Sequence, residues 1–131
     1  MAKTPTGKIP MVVHDTEPAS QTLQTPGMER KPAIHKSSVG ASKIWFGTVT
    51  CAPNHKGPPH HHGEAETAAY IISGYVRVHY GDNFEESVEA GPGDYLFVPA
   101  HMPHIEGNVT DEPAEAVLTR SPDNIVVNLG D

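Results

Sequence analysis

The sequence has little of what several classes of protein depend on. Its 131 residues include a single cysteine, Cys51, so an internal disulfide is excluded and nothing points to an oxidising compartment. Lys and Arg together number 9 against 16 Asp and Glu, a formal net charge of −7, and the basic residues form no cluster. A chain with this charge lacks the basic footprint of nucleic-acid-binding proteins, so we expect no nucleic-acid partner.

Long apolar runs are also absent. No stretch approaches the roughly 20 apolar residues that a bilayer-spanning helix needs, and residues 1–18 lack the apolar core of a secretory signal. We therefore expect a cytoplasmic protein that does not associate with membranes. The length of the chain fits one domain with its own hydrophobic core.

A hydrophobic period near 3.6 residues, which would indicate amphipathic helices, is not sustained in any segment. The chain instead carries 12 Gly and 13 Pro, with short β-branched and aromatic runs between them. The predicted strands cover residues 43–52, 68–73, 75–80, 84–89, 95–98, 104–109, 114–119 and 125–129. Short strands at this spacing, joined by turns and without a predicted helix, indicate an all-β sandwich or barrel.

Residues 1–40 differ from the rest of the chain in composition and pattern, because they are rich in proline and have few periodic apolar positions. We predict an extended N-terminal arm in residues 1–40, with at most short strands, and a single barrel domain in residues 41–131. The strands at 75–80 and 84–89 are predicted to form a hairpin, and the strand at 68–73 is expected to lie antiparallel to its neighbour at 75–80.

Histidine is the compositional anomaly, with nine in the chain and five of them at positions 60, 61, 62, 101 and 104. Side chains alternate along an extended chain, so His60, His62 and Glu66 can point to one side while His61 points to the other. Two imidazoles and a carboxylate are costly to bury together unless a divalent cation binds them. Solvated surface histidines are the alternative interpretation of this segment.

A second segment supports the metal hypothesis. His104 follows a turn that contains Pro99 and Pro103, and it begins a predicted strand that can approach the first group across a barrel. We therefore predict that one divalent metal ion is held by His60, His62, Glu66 and His104.

The second segment resembles the second motif of the cupin superfamily, in which Gly, Pro, His and Asn recur at fixed spacing. Gly93, Pro99, His104 and Asn108 stand at the matching positions. One departure is His101, which stands where the family usually has Gly.

The first segment resembles the first cupin motif, with His60, His62, Glu66 and Gly74 at the corresponding positions. Asn54 replaces an expected Gly, and Glu66 lies one residue too far from Gly74, so that counting back from Gly74 reaches Thr67. A hydroxyl is a poor ligand beside a carboxylate, and we favour Glu66 with a β-bulge absorbing the extra residue.

The resemblance implies a jelly-roll, or double-stranded β-helix, cupin barrel that is frequently a homodimer, with the metal inside one open end. Family members carry Fe, Mn, Ni, Zn or Cu. We expect Fe(II) or Mn(II), with Zn or Ni as alternatives, because the predicted ligands do not suit Ca²⁺ or Mg²⁺.

Such a site would carry a net charge of about +1 and suit a small, anionic or chelating oxygenated substrate. The reactions open to it are dioxygenase-like oxidation or a non-redox isomerase, lyase or decarboxylase reaction, and a noncatalytic binding or sensing cupin is a further alternative. Tyr70 and His101 are candidate catalytic residues, as an oxyanion donor and an acid or base respectively. The alternatives for them are structural roles in the core and at the rim.

Overall fold

The computed structural model describes residues 7–14 and 22–129. Within these residues the chain forms eleven short strands and one four-residue helix. In chain order they are β1 (Met28–Ile34), α1 (Lys36–Val39), β2 (Trp45–Cys51), β3 (His55–Lys56), β4 (His60–His61), β5 (Glu66–Ser73), β6 (Val76–Tyr80), β7 (Glu86–Ala90), β8 (Tyr95–Val98), β9 (Ile105–Asn108), β10 (Ala114–Ser121) and β11 (Val127–Asn128).

The strands form two main antiparallel sheets and a small third one. The first sheet has the order β1-β2-β10-β5-β8, the second has the order β3-β9-β6-β7, and β11 pairs with β4. Apart from the consecutive pairs β1-β2 and β6-β7, neighbours in the two main sheets are not consecutive in sequence, as expected when a chain winds back and forth between two sheets. The predicted all-β jelly-roll barrel is confirmed.

The hydrophobic core lies inside the barrel. Side chains alternate along β5, so that Thr67 and Ile71 face the interior while Tyr70 faces outward. Trp45 on β2 and Val78 on β6 meet Ile71 in the buried cluster. The interior that surrounds the histidines is therefore mostly apolar, and polar groups in it must be paired with one another or with a ligand.

Most predicted strands match the structure to within a few residues, and the strand at 95–98 coincides with β8. The expected antiparallel pairing of β5 with β6 is wrong, because the two strands belong to different sheets. The chain crosses between the sheets at Gly74, which has a φ of 75°. A Cβ at Gly74 would lie 2.6 Å from the Cα of Ala114, so the crossing also requires the absence of a side chain.

The barrel begins before the predicted boundary at residue 41. β1 pairs with β2 along its length and supplies Met28 and Arg30 to the interior, so residues 28–34 belong to the barrel and not to an arm. α1, which was not predicted, connects β1 to β2 and ends at Gly40 in a left-handed conformation. Of the predicted arm, residues 1–6 and 15–21 lie outside the described residues.

No helix in the described part of the chain has the length and apolar character needed to cross a bilayer.

Candidate metal centre

Two strand segments bring three histidines and a glutamate together inside the barrel. His60 lies in β4 and His62 directly after it, whereas His104 precedes β9 and Glu106 lies within it. His60 and His104 pair as an antiparallel bridge, each amide N–H donating to the other's carbonyl oxygen at 3.0 and 2.8 Å. The backbone pairing thus holds the two segments in register, and alternation along β9 turns Glu106 to the same side as His104.

Each of the three imidazoles is oriented by a hydrogen bond from its Nδ1 to the main chain. The acceptors are the carbonyl oxygens of Pro58 for His60 (3.1 Å), Ile125 for His62 (2.7 Å) and Met102 for His104 (2.9 Å). Because a carbonyl oxygen only accepts, each Nδ1 carries the proton and each Nε2 is left as the metal-binding nitrogen. Fixing the tautomer from the far side of the ring is typical of histidine ligands to metals.

The three Nε2 atoms converge on one carboxylate oxygen. Oε1 of Glu106 lies 3.6, 3.7 and 2.8 Å from Nε2 of His60, His62 and His104. Donor atoms bound to one ion at about 2.1 Å in a tetrahedral arrangement are about 3.4 Å apart, so this spacing suits a single ion. Nε2 of His60 is also buried without a hydrogen-bond partner among the described residues, which is a cost that a metal bond would remove. The cluster fits a divalent transition metal.

The protonation states match those that a metal requires. Burial lowers the pKa of His62 to about 4, so its ring is neutral near pH 7. Burial opposes ionisation of Glu106, but the three imidazoles that surround its Oε1, that of His104 foremost, outweigh it and hold the pKa of the carboxyl well below its usual range. At neutral pH His62 therefore presents a neutral imidazole and Glu106 an ionised carboxylate, the forms that bind a metal ion.

The assignment of the carboxylate ligand to Glu66 is corrected to Glu106. Glu66 is exposed on the outer face of β5, because a turn at Gly63 and Glu64 interrupts the extended chain that would have placed it on the same side as His62. Gly63 has a φ of 57° and the N–H of Ala65 donates to the carbonyl oxygen of His62 at 3.0 Å. The turn resets the alternation, so it is Thr67 that faces the interior.

Glu106 was missed although a signal for it was present. It stands two residues after His104 in a predicted strand, and residues at that separation share a face. The resemblance to the cupin motifs predicts the acidic ligand in the first segment, whereas this chain carries it in the second.

The two candidate catalytic residues lie away from the cluster. Tyr70 is on the outer face of β5, with its ring 5.0 Å from that of Tyr95, so it does not line the barrel interior. His101 is exposed at the rim beside His61, with 6.4 Å between ring centroids. Its φ of 62° explains why the family has Gly at this position, and its N–H donates to the carbonyl oxygen of Gly63 at 2.7 Å.

Two arginines that sequence reasoning did not single out complete the polar interior. Arg120 on β10 donates from Nε to the hydroxyl of Thr67 at 2.7 Å and from Nη1 to Oδ1 of Asn124 at 2.6 Å. Its Nη2 donates to Nε2 of His62 at 3.2 Å. Arg30 on β1 shares an interior cavity of about 30 Å³ with Arg120 and Glu106.

This histidine and glutamate cluster lies in a barrel whose sequence matches a family model over residues 47–120, more than half of the chain. The family is described as the cupin domain. The chain is a cupin. A germin-like protein 4-1 from Oryza sativa subsp. japonica is 30% identical to it over 88 residues, which is 62% of this chain and 35% of the relative. This cupin therefore spans about a third of the length of that relative.

Solved structures share its fold. The polyketide cyclase RemF from Streptomyces resistomycificus superimposes with a TM-score of 0.70 at 20% identity, over 100% of this cupin and 87% of that chain. A mutant of oxalate decarboxylase from Bacillus subtilis gives a TM-score of 0.67 at 25% identity, over 82% of this cupin and 29% of that chain. An uncharacterized protein with a double-stranded β-helix domain from Klebsiella pneumoniae gives a TM-score of 0.64 at 17% identity, over 86% of this cupin and 93% of that chain.

Proposed function

We propose that this cupin is a metal-dependent enzyme that acts on a small oxygenated metabolite, most simply as a dioxygenase. The observation that carries the proposal is the convergence of three Nε2 atoms on the ionised, buried Glu106. A ligand set of three imidazoles and a carboxylate suits Fe(II) or Mn(II), with Zn or Ni as alternatives. An iron or manganese ion at this site would supply Lewis acidity and, with O₂ as oxidant, the means to place both oxygen atoms in the substrate.

The protein's own residues would position and shield the reaction. The carbonyl oxygens of Pro58, Met102 and Ile125 keep the imidazoles aligned. The apolar side chains around the cluster exclude bulk water, which strengthens electrostatic interactions inside the barrel. Arg120, which contacts His62, places a guanidinium where it can bind an anionic substrate.

Decarboxylation is the second candidate function, and the likeness to oxalate decarboxylase at 25% identity favours it. In that reaction a C–C bond breaks, CO₂ leaves, and a proton takes its place, with no net oxidant consumed. The other non-redox reactions and a noncatalytic sensing role lack a specific observation in their favour.

The first experiment separates the two carboxylates. Glu106→Gln is expected to reduce bound metal at least about tenfold, because it removes the anionic ligand, whereas Glu66→Gln should leave metal content unchanged. His104→Ala should also lose the ion. Metal would be counted by plasma mass spectrometry on untagged protein, with folding checked by circular dichroism. Equal metal content in wild type and folded Glu106→Gln would contradict the proposed centre.

The second experiment separates the reactions. Protein loaded anaerobically with Fe(II) or Mn(II) would be mixed with diketones, catechols, flavonols or oxalate, and O₂ uptake and CO₂ release would be recorded together. O₂ uptake coupled to substrate loss supports the dioxygenase, and CO₂ release without O₂ uptake supports the decarboxylase. No turnover of any compound by metal-replete protein would count against both.

A further inference from the structure

Two arginine side chains are buried inside the barrel, which is unusual for cations. Arg30 on β1 and Arg120 on β10 are 0% and 3% exposed. Burial lowers the pKa of Arg30, and it lowers the pKa of Arg120 to about 9. Fully buried guanidinium groups are uncommon unless each is paired with an anion.

Among the described residues, the cavity that both arginines line has more cationic groups than anionic ones. Both arginines line the same interior cavity, and among its lining residues Glu106 alone carries a carboxylate. That carboxylate is already shared by His60, His62 and His104. Two guanidiniums against one carboxylate leave a local charge of about +1, which a divalent ion would raise to about +3. The interior is therefore short of negative charge.

Arg30 shows where an anion would bind. Its Nη1 donates to the hydroxyl of Thr25 at 2.9 Å, whereas its Nε and Nη2 are buried with no hydrogen-bond partner among the described residues. Nε and Nη2 lie on the same edge of the guanidinium and form the fork that binds both oxygens of a carboxylate. Two buried donors on a cationic group are costly to leave unpaired.

Arg120 adds a donor whose availability depends on the metal. Its Nη2 donates to Nε2 of His62 at 3.2 Å, and that lone pair is the one a metal would take. Metal binding would therefore release Nη2 of Arg120, while Thr67 and Asn124 continue to hold the rest of the guanidinium. The released donor would face the same cavity as Arg30.

The size of the cavity restricts the anion. A volume of about 30 Å³ accommodates about two water molecules, which is room for a carboxylate group but not for a bulky anion. Its other walls are largely apolar and include Val49, Ile71 and Leu118. We propose that Arg30 and Arg120 form a carboxylate-binding subsite beside the metal centre, and that the ligand of this cupin is a small carboxylate. The subsite specifies the substrate class of the proposed function. It rests on that function for the effect of the metal on carboxylate binding.

The test measures carboxylate binding with and without metal. Oxalate, glyoxylate and formate would be titrated calorimetrically into EDTA-treated protein and Mn(II)-loaded protein at constant ionic strength. Chloride and phosphate serve as comparison anions. Arg30→Met removes the fork, and Arg77→Met is the matched control because Arg77 lies on β6 in a partly exposed ion pair with Glu89. Metal content and melting temperature would be measured for each variant.

We expect at least one of the carboxylates to bind wild type and Arg77→Met. Arg30→Met should bind it roughly tenfold or more weakly, with metal content unchanged and with a melting temperature in anion-free buffer that is equal or higher. The same carboxylate should bind more tightly to the Mn(II)-loaded protein than to the metal-free protein.

Three outcomes would overturn the subsite. The first is that no carboxylate binds to either the metal-free or the Mn(II)-loaded wild type. The second is that chloride and phosphate bind as tightly as the carboxylates, and the third is that Arg30→Met loses its metal. An Arg30→Lys variant, which keeps the charge but loses the fork, should bind the carboxylate less well than wild type. Carboxylate binding to a protein that takes up no metal would refute the proposed metal enzyme while retaining the subsite, so the two failures are distinguishable.

Discussion

Each histidine of the metal centre uses its two ring nitrogens differently. Nδ1 donates to a main-chain carbonyl oxygen, and Nε2 faces Oε1 of Glu106. Neighbouring His61 is used differently, because its Nδ1 accepts from the N–H of Gly63 at 2.9 Å. His60 and His62 thus face the metal centre, whereas His61 lies on the other side of the chain and stabilises the turn that follows.

The metal-free protein should lose stability as the pH falls from about 6.5 to about 4. The pKa of His62 is lowered by burial from 6.5 to about 4, so over this range the unfolded state binds more protons than the folded state, and acid favours unfolding. At about 1.4 kcal/mol per pKa unit, the free energy of unfolding should fall by roughly 2–3 kcal/mol. Urea titrations in EDTA across this range would measure it.

Glu106 acts at lower pH. Because its pKa in the folded state is depressed, its contribution to the free energy of unfolding is present above its unfolded pKa and is lost only as the pH falls through the folded value.

The pH dependence assigned to His62 has a matched control. A His14→Gln variant, altered at an exposed position, should keep the wild-type slope of the free energy of unfolding between pH 4 and 6.5, whereas folded His62→Gln should flatten it. An unchanged slope in His62→Gln would refute the assignment to His62.

At the scale of the element, the position of a turn decides which side chains enter the barrel. The two-residue turn after His62 shifts the alternation, and β5 then pairs with β10 so that Thr67 stands opposite Arg120. Thr67 occupies the position reached by counting back from Gly74, where the family motif has its acidic residue. In this chain the carboxylate comes instead from β9, and the vacated position holds a hydroxyl that binds a guanidinium.

Gly74 should be intolerant of a side chain, in contrast to Gly93. Both have left-handed backbones, with φ of 75° and 88°, but a Cβ at Gly74 meets backbone atoms at 2.6 Å while one at Gly93 meets nothing within 4 Å. Gly93→Ala should lower the free energy of unfolding by about 1 kcal/mol, from backbone strain alone, and Gly74→Ala by about 3 kcal/mol or more. Chemical denaturation of both variants would measure the difference, and equal losses would contradict the close approach of Gly74 to β10.

At the scale of the whole molecule, the outer face of the five-stranded sheet is unusually aromatic. Tyr70, Tyr95 and Phe97 are 38%, 84% and 61% exposed, and with Phe46 they line an apolar groove. β8, which carries two of these rings, is the edge strand of the sheet, so its outer backbone groups are available for pairing. A twofold contact between two copies of this edge would cover the rings and satisfy the backbone of both chains.

The protein should therefore be a homodimer that a charge on this face disrupts. Phe97→Glu would place two like charges near the twofold axis and should yield monomer. Val88→Glu is the control, because Val88 is 46% exposed on β7 in the other sheet, and it should remain dimeric. Sedimentation velocity at micromolar concentrations distinguishes the states. A monomeric wild type, or a dimeric Phe97→Glu, would rule out this interface.

The strands and the histidines were predictable because their signals are local. Alternation of apolar residues located most strands, and the spacing of His60, His62 and His104 indicated three imidazoles that the structure brings together. The same pattern could not show that β5 and β6 lie in different sheets. Alternation specifies which face of a strand is buried but not which sheet the strand joins.

The sequence by itself determined that this is an all-β barrel with histidines placed to meet, because periodicity and spacing act over a few residues. Only the tertiary structure decided that Glu106 and not Glu66 completes the cluster, since one turn after His62 reverses the alternation. It alone placed Arg30 and Arg120 together, because β1 and β10 are distant in sequence and both flank β2 once the sheet has formed. Buried charge depends on such distant pairs, and no local pattern encodes it.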